Sequence, residues 1–365
     1  MHLENKKIVL APTDLSNFLS CRHLSRLDLS VARGTKERPV RYGPVLDELK
    51  ARGQAHEKAY LEHLQALGFD IAHCCDPDMD EESIKHGVDK TIAAMQAGVD
   101  IIYQATLADD AWYGRADFLR KVALLSNFGN WSYEVIDPKL AHDTKAGTIL
   151  QLCVYSYLLE KLQGVRPERM YVVTPGSVYE PLKYRLADYD AYVRLLERGI
   201  GQFLTNPGET YPDLVSHCDL CAWWSECEKR RRGDDHLCYV AGISNGQIKN
   251  LRAIGVERLA ELARLDEIPD LRQVSQESMA RVRDQARVQL ISREKQVPYY
   301  ELKEPFNLEH GLAMLPEPTP DDIFLDFEGN HFAEQGVREY LTGYLSRGDD
   351  GQVIYTPVWA RTLEE

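Results

Sequence analysis

Three cysteines in the second half of the chain, Cys218, Cys221 and Cys227, are spaced like the ligands of a single metal centre. The Cys-x2-Cys pair lets two thiolates reach one ion from a tight turn, and the third cysteine returns after about one and a half helical turns. Three ligands leave one position of a tetrahedral centre open. The spacing therefore predicts a metal centre that needs a fourth ligand.

The fourth ligand is not decided by spacing alone. Cys21 is the natural candidate, and the sequence also permits Cys238 or His217. If Cys21 is the ligand, the centre joins positions about 200 residues apart, which restricts the unfolded chain by roughly 4–5 kcal/mol on a disulfide-like estimate. We therefore expect a centre that holds one domain together rather than an electron carrier.

The cysteine content and the N-terminal sequence point to a reducing compartment. The chain has eight cysteines, and its first residues contain no apolar segment of the kind that directs secretion. In such compartments clustered cysteines are more often metal sites than disulfides. We expect a cytoplasmic protein without a membrane span, because no run approaches the roughly 18 apolar residues required. Cys74, Cys75 and Cys153 lie in apolar patterns and are predicted to be buried thiols.

The acidic composition argues at first against a nucleic-acid partner. The net charge is −14, whereas surfaces that bind nucleic acid are basic. However, residues 301–365 contain 14 acidic and 4 basic side chains, so the rest of the chain is close to neutral. The charge distribution therefore leaves DNA binding open for the main body of the chain.

Hydrophobic periodicity predicts an α-β-β-β-α-β order after residue 80. The predicted elements are a helix over 80–97, strands over 101–107, 112–122 and 131–139, a helix over 148–162 and a strand over 169–174. Upstream, one helix is predicted from 13 to about 27 and another over 44–67. This alternation indicates an α/β fold.

Two aspartates and a lysine fall on the second and third predicted strands. Asp137 and Lys139 are two residues apart, so their side chains share one face of a strand. Asp117 lies on the preceding strand, and the two carboxylates meet if these strands pair. Carboxylates bind Mg²⁺ or Mn²⁺, which activates water, while a lysine orients that water or neutralises charge on a phosphate. The pattern predicts phosphodiester hydrolysis.

Further polar residues flank this group. The following helix carries Gln151 and Tyr155, which share one face because they are four residues apart. Glu134 is three residues before Asp137, so an unbroken strand points it to the opposite face. Glu134 is therefore a secondary candidate only.

These motifs resemble the PD-(D/E)XK nuclease superfamily in its RecB-like branch. The matching segments are Gly-x-x-Asp117, Asp137-Pro138-Lys139, Gln151-x-x-x-Tyr155 and a histidine, His56, on an upstream helix. The resemblance implies a restriction-endonuclease-like αβββαβ core with added helices. By this resemblance the Mg²⁺ or Mn²⁺ ligands are His56, Asp117 and Asp137, and the remaining catalytic residues are Lys139, Gln151 and Tyr155.

The cysteine pattern is similar to that of RecB-like nucleases of the CRISPR-associated and AddB types. Those proteins pair one N-terminal cysteine with a C-terminal Cys-x2-Cys-x5-Cys and hold a 4Fe–4S cluster. The resemblance implies a cluster bound by Cys21, Cys218, Cys221 and Cys227. Zn²⁺ is the alternative, because four cysteines serve either metal.

A basic segment follows the third cysteine. Arg230, Arg231 and Arg232 are predicted to contact DNA phosphates, against the alternative of a solvated face. Trp223 and Trp224 are predicted either to stack on bases or to pack around the metal centre.

The remaining sequence divides into three parts after a nuclease domain over 1–238. A helical module, similar to helix-hairpin-helix elements that bind DNA, covers 239–297, and a proline-rich linker covers 298–320. In 321–365, Asp326 and Glu328 resemble the first motif of RNase H-like, DEDD-type exonucleases and form a candidate second site. This segment is too short for a whole domain of that kind, so we expect it to be truncated and inactive.

The order of parts resembles RecB-like nucleases whose longer members add a helicase. The sequence thus predicts a metal-dependent DNA nuclease, an exonuclease on single-stranded ends, acting in DNA repair, recombination or defence with a helicase in cis or in trans. No Gly-x-x-x-x-Gly-Lys-[Ser/Thr] loop is present in this chain. The alternative is a non-catalytic DNA-binding or assembly module with a structural Fe–S or Zn site.

Overall fold

The computed structural model describes residues 1–40, 43–74, 81–175, 178–268, 274–302, 309, 311–330 and 338–362. Cys75, predicted as a buried thiol, lies outside these residues. The chain divides into two compact units, Met1–Arg287 and Val288–Glu365. This border falls inside the segment predicted as the helical module, and the predicted borders at residues 238 and 320 stay predictions.

Ten α-helices are found in the described residues. They are α1 (Pro12–Ser20), α2 (Arg22–Ala32), α3 (Pro44–Ala66), α4 (Glu81–Ala97), α5 (Ala146–Gln163), α6 (Asp190–Thr205), α7 (Trp224–Gly233), α8 (Asn245–Ala253), α9 (Leu259–Ala263) and α10 (Gln276–Lys295). None of these helices is long and apolar enough to cross a lipid bilayer.

The strands of the first unit form a hairpin and a larger sheet. They are β1 (His2–Glu4), β2 (Lys7–Val9), β3 (Ile71–His73), β4 (Ile101–Ala108), β5 (Tyr113–Val122), β6 (Ser132–Pro138), β7 (Arg169–Val173) and β8 (Leu182–Arg185). β1 pairs with β2, and the other six form one sheet in the order β3-β4-β5-β6-β7-β8. β3–β4 and β6–β7 are parallel, and the other neighbours are antiparallel. The mixed α/β architecture and the α-β-β-β-α-β order are therefore confirmed.

Helices cover both faces of the sheet, and a separate cluster of apolar residues lies on each face. Tyr60 and Leu64 of α3 pack with Phe118 and Ile136 of the sheet. The larger cluster contains residues of α1, α5 and α6 together with strand residues such as Val135. Every residue of β6 is buried, as expected for a strand covered on both faces. This burial fixes the strand that carries the predicted aspartate–lysine pair.

The single helix predicted from 13 to about 27 is wrong, because the chain forms two helices that meet at Cys21. The backbone of Cys21 is extended, with φ −158° and ψ 112°. Its N–H still bonds to Asn17 O at 2.8 Å, while its Sγ accepts the N–H of Leu24 at 3.4 Å. Cys21 therefore ends α1 and caps the start of α2, which places its sulfur at a helix N-terminus.

The predicted helical module over 239–297 contains α8, α9 and α10. Ser244 and Gln247 form a reciprocal cap at the start of α8. The N–H groups of Leu259 and Ala260 bond to Asp235, which follows α7. These bonds attach α9 to the segment that follows the cysteines.

The second unit contains three strands near the end of the given sequence. They are β9 (Phe324–Asn330), β10 (Arg338–Arg347) and β11 (Val353–Trp359). They form an antiparallel sheet in the order β11-β10-β9, and most side chains of β9 and β11 are exposed.

Candidate active site and cysteine cluster

The two predicted aspartates lie at facing positions of neighbouring strands. β5 and β6 pair with Phe118 opposite Ile136, and Asp117 and Asp137 are the next residues beyond this rung. The Lys139 ammonium lies 2.6 Å from Asp137 Oδ1 and 3.9 Å from Asp117 Oδ2. The structure thus brings together the three residues that the motifs single out.

Backbone contacts at the end of β6 hold Lys139 in place. The Lys139 N–H donates to the carbonyl of Val173 on the parallel strand β7 at 2.9 Å. His56 of α3 places its Nε2 3.2 Å from the same carbonyl oxygen, and its ring stacks on Tyr179 at 6.5 Å between centroids. The predicted ligand His56 therefore lies beside the strand end that carries the acid–lysine pair.

Burial and neighbouring charges shift the pKa values of Asp117 and Lys139. Burial, followed by the negative charge of Asp137, raises the pKa of Asp117 to about 8. Burial by itself lowers the pKa of Lys139, but the charges of Asp137 and Asp117 outweigh it and the net shift is upward. Two carboxylates share one ammonium, so the ionised group carries an excess negative charge in a buried place.

The buried carboxylate of Asp137 has one close cationic neighbour. Its side chain is 7% exposed, and its Oδ1 lies 2.6 Å from the Lys139 ammonium. One ammonium does not balance two neighbouring carboxylates, and carboxylate oxygens suit Mg²⁺ or Mn²⁺. Within the described ranges, no three His, Cys, Asp or Glu side chains stand in a metal-binding arrangement. The donor chemistry fits a divalent ion, and the ligand set stays a prediction.

α5 presses Tyr155 against the start of the strand that carries the first aspartate. The Tyr155 hydroxyl donates to the Arg115 carbonyl at 2.8 Å, and burial, followed by nearby aspartate charges, raises its pKa. A Cβ on Gly114 would lie 2.9 Å from the Tyr155 ring and 2.8 Å from Pro12, so close packing requires the glycine. Gln151, one turn earlier on α5, is half-buried. Tyr155 therefore fixes the Gly-x-x-Asp end of β5.

The Glu134 carboxylate accepts hydrogen bonds that hold two neighbouring strands together. Its carboxylate accepts the N–H groups of Glu168 and Arg169 at 3.2 and 2.8 Å, and the Tyr171 hydroxyl at 2.7 Å. These three donors bind the start of β7 to β6. Glu134 is buried and fully engaged there.

The four predicted cysteine ligands line one small cavity. They are Cys21, Cys218, Cys221 and Cys227. The cavity has a volume of about 20 Å³, room for about one water molecule. Of the two alternative fourth ligands, His217 also lines the cavity, whereas Cys238 is not among the described residues that do. The tertiary structure thus places Cys21 with the other three cysteines.

The sulfur atoms receive backbone donors. Leu24 N donates to Cys21 Sγ at 3.4 Å, and Val215 N donates to Cys218 Sγ at 3.5 Å. Burial raises the pKa of Cys21, and it raises that of Cys227 to about 11. Without a metal these two sulfurs are protonated, whereas the N–H donors suit thiolates that bind a metal.

Arg231 lies against the same cavity and corrects one sequence prediction. It is 1% exposed, so it is not presented to a DNA backbone as predicted. Its Nη1 donates to Pro212 O at 2.9 Å, but Nε and Nη2 lack a hydrogen-bond partner among the described residues. The guanidinium stacks on Trp224, and Trp223 is buried beside the cysteines. A buried cation held by the Pro212 carbonyl and by a hydrogen bond with Tyr239 fits a centre whose ligands are thiolates.

Arg230 and Arg232 are exposed, as a phosphate contact requires. Arg230 lies 3.7 Å from Asp234, and Arg232 lies 2.8 Å from Glu228. Exposed pairs of this kind are weak and exchange partners readily. DNA contact by these two residues stays a prediction.

The candidate second site on β9 is open. Asp326 and Glu328 are two residues apart on this strand, and both are exposed. Asp326 Oδ1 accepts the neighbouring Phe327 N–H at 2.9 Å. No metal-binding group of side chains is present among the described residues of this unit.

Two residues near the aspartates were missed by the sequence motifs. Glu57 follows His56 on α3 and accepts a hydrogen bond from the Gln104 amide. The proximity of Glu57 to the motif histidine was a usable signal, whereas nothing in the pattern of β4 indicated Gln104.

The comparisons with known proteins assign no roles to these residues. The sequence matches no protein-family model, and the search of curated proteins finds no match. The candidate roles therefore rest on the motif spacing and on the contacts described above.

Proposed function

We propose that this chain is a metal-dependent DNA nuclease that hydrolyses phosphodiester bonds, with single-stranded ends as its substrate. The observation that carries the proposal is the convergence of Asp117, Asp137 and Lys139 at adjoining strand positions. The α4-β4-β5-β6-α5-β7 order supports assignment to the RecB-like branch of the PD-(D/E)XK superfamily. Roles in DNA repair, recombination or defence, with a helicase partner, follow from the same resemblance.

Each residue of the candidate site has a separate role in the proposed reaction. Asp117 and Asp137, with His56 nearby, would hold Mg²⁺ or Mn²⁺, which when bound supplies Lewis-acid charge and an activated water. The Lys139 ammonium donates to a phosphate oxygen and neutralises the charge that develops during attack. Tyr155 holds the strand end that presents Asp117.

Lys139→Ala tests this function. We expect cleavage of end-labelled single-stranded DNA with Mn²⁺ to fall at least about a hundredfold, because removal of one charge-stabilising donor costs that much in hydrolytic sites. Lys121→Ala is the matched control, because Lys121 is about as exposed and pairs with Asp100 at 3.1 Å. DNA binding without any Mn²⁺-dependent cleavage by the unmodified protein would favour the non-catalytic alternative.

We further propose that the four cysteines hold a 4Fe–4S cluster, with Zn²⁺ as the alternative. The four sulfurs with their backbone donors and the buried cation suit either metal chemically, although a cavity of about 20 Å³ must widen to hold a cluster rather than a single ion. A brown protein that absorbs near ~400 nm and contains iron supports the cluster, whereas a colourless protein with zinc supports the alternative.

Arg231→Met tests whether thiolates balance the buried guanidinium. We expect the metal content to fall and the free energy of unfolding to drop by about 3 kcal/mol or more, as when a buried ion pair loses one partner. Arg232→Met, on the exposed face of α7, is the control and should change neither quantity. An increase in stability would instead mean that the cysteines are neutral thiols, since the variant then removes an unpaired buried charge.

A further inference from the structure

The ladder between β4 and β5 is interrupted opposite the first aspartate. Tyr103 pairs with Phe118 and Ala105 pairs with Ala116, but the intervening rung is missing. At that rung Gln104 has φ +55°, in the left-handed region that non-glycine residues rarely adopt. The residue opposite it on β5 is Asp117. The backbone distortion therefore lies at the candidate active site, where such conformations tend to cluster.

The side chain of Gln104 is engaged as well. Its Nε2 donates to Glu57 Oε1, and Tyr103 also bonds to the Glu57 side chain. Glu57 is half-buried, and its charge interacts with that of Asp117. A third carboxylate close to two others is costly, because buried like charges repel each other. A helix–sheet contact made only for stability would therefore not need one.

α3 delivers consecutive side chains to opposite sides of the candidate centre. His56 reaches the Val173 carbonyl on β7, which also accepts the Lys139 N–H. The next residue, Glu57, reaches Gln104 on β4. The helix thus spans the strand ends that carry the aspartates, with one polar side chain on each side.

We infer that Glu57, held by the left-handed Gln104, is a positioning residue that places negative charge beside Asp117 and strengthens divalent cation binding at the proposed nuclease site. The inference rests on the proposed function. Glu57 adds negative charge close to Asp117, and the Gln104 amide fixes the Glu57 carboxylate by a hydrogen bond. Cation affinity at oxygen sites rises with ligand charge, and outer partners orient the ligands.

Glu57→Gln tests the charge while it preserves the size of the side chain. We expect the dissociation constant for Mn²⁺, measured by electron paramagnetic resonance without DNA, to rise at least about tenfold. The melting temperature in EDTA should stay level or rise, because an unfavourable half-buried charge is removed. The control is Glu62→Gln on the same helix, whose exposed carboxylate lies 3.6 Å from Lys58. A purely structural contact would instead lower the melting temperature and leave Mn²⁺ binding unchanged.

Gln104→Gly tests the orienting donor. Glycine keeps the left-handed backbone without strain and removes the amide, so we expect a folded protein whose Mn²⁺ affinity falls as in Glu57→Gln. Mn²⁺ affinity within twofold of the unmodified protein in both variants would overturn the inference.

The same measurements separate this inference from the proposed function. If the unmodified protein binds Mn²⁺ in a Glu57-dependent manner but cleaves no DNA, the nuclease function fails and the positioning role stands. If it cleaves DNA and both variants bind Mn²⁺ normally, only the positioning role fails. If the unmodified protein binds no Mn²⁺, both fail together.

Discussion

Asp117→Asn is expected to lower DNA cleavage by more than about a hundredfold and to stabilise the metal-free protein. Mutation of a residue that only contacts a metal ligand lowers activity about ten- to hundredfold. Asp117 is itself a proposed ligand, so we expect a larger loss. Its pKa is raised to about 8 by burial and by Asp137, so its ionised form is unfavourable in the folded state. The asparagine keeps the shape and removes that charge.

The stabilisation by Asp117→Asn should depend on pH in a defined direction. The pKa of Asp117 in the folded protein, about 8, lies above its ordinary value of 3.8. Folding therefore favours the protonated carboxyl, and this contribution is lost as pH rises from about 4 toward 8. In EDTA, the gain in melting temperature should be larger at pH 8 than at pH 5.

Asp100→Asn is the matched control for this prediction. A hydrogen bond from Lys121 lowers the pKa of Asp100, so its contribution has the opposite sign. It should lower the melting temperature slightly and leave cleavage unchanged. If Asp117→Asn lowers the melting temperature in EDTA, the excess charge described for the candidate site is not present.

Cys21→Ser is expected to release the metal and to cause the largest loss of stability of the variants discussed. In the structure this cysteine lies at the α1–α2 junction and lines the same cavity as the other three cysteines. Loss of the link frees a loop of about 200 residues in the unfolded chain, a cost of roughly 4–5 kcal/mol. Metal content and the free energy of unfolding measure the effect.

Cys238→Ser separates the two cysteine candidates for the fourth ligand. Cys238 is half-buried but is not among the described residues that line the cavity. The variant should keep its metal and most of its stability. Metal loss from Cys238→Ser, with normal metal content in Cys21→Ser, would show that the fourth ligand has been assigned to the wrong cysteine.

The regular elements around the aspartates were predictable because their patterns are local. The alternation of apolar residues in β5 and β6, and the continuous apolar content of α5, reflect burial on one or both faces. The positions of Asp117 and Lys139 on these strands then followed from counting residues. Their convergence required only that neighbouring strands pair.

Three features were not predictable from the apolar spacing of the segments in which they lie. The break at Cys21 comes from its capping of α2, which apolar spacing alone does not reveal. Arg231 resembles its neighbours in an arginine run, yet packing against Pro212 and Trp224 buries it. The left-handed conformation of Gln104, whose side chain bonds to Glu57 of α3, has no local signal in β4.

By itself the sequence determined the mixed α/β class, the order of elements, and the residue types available for metal and phosphate chemistry. These follow from periodicity and motif spacing, which are properties of short segments. Only the tertiary structure decided which cysteine joins Cys218, Cys221 and Cys227, which arginine is buried, and which acid stands beside Asp117. Those choices depend on long-range packing, because burial and charge compensation are shared among segments that meet only when the chain folds.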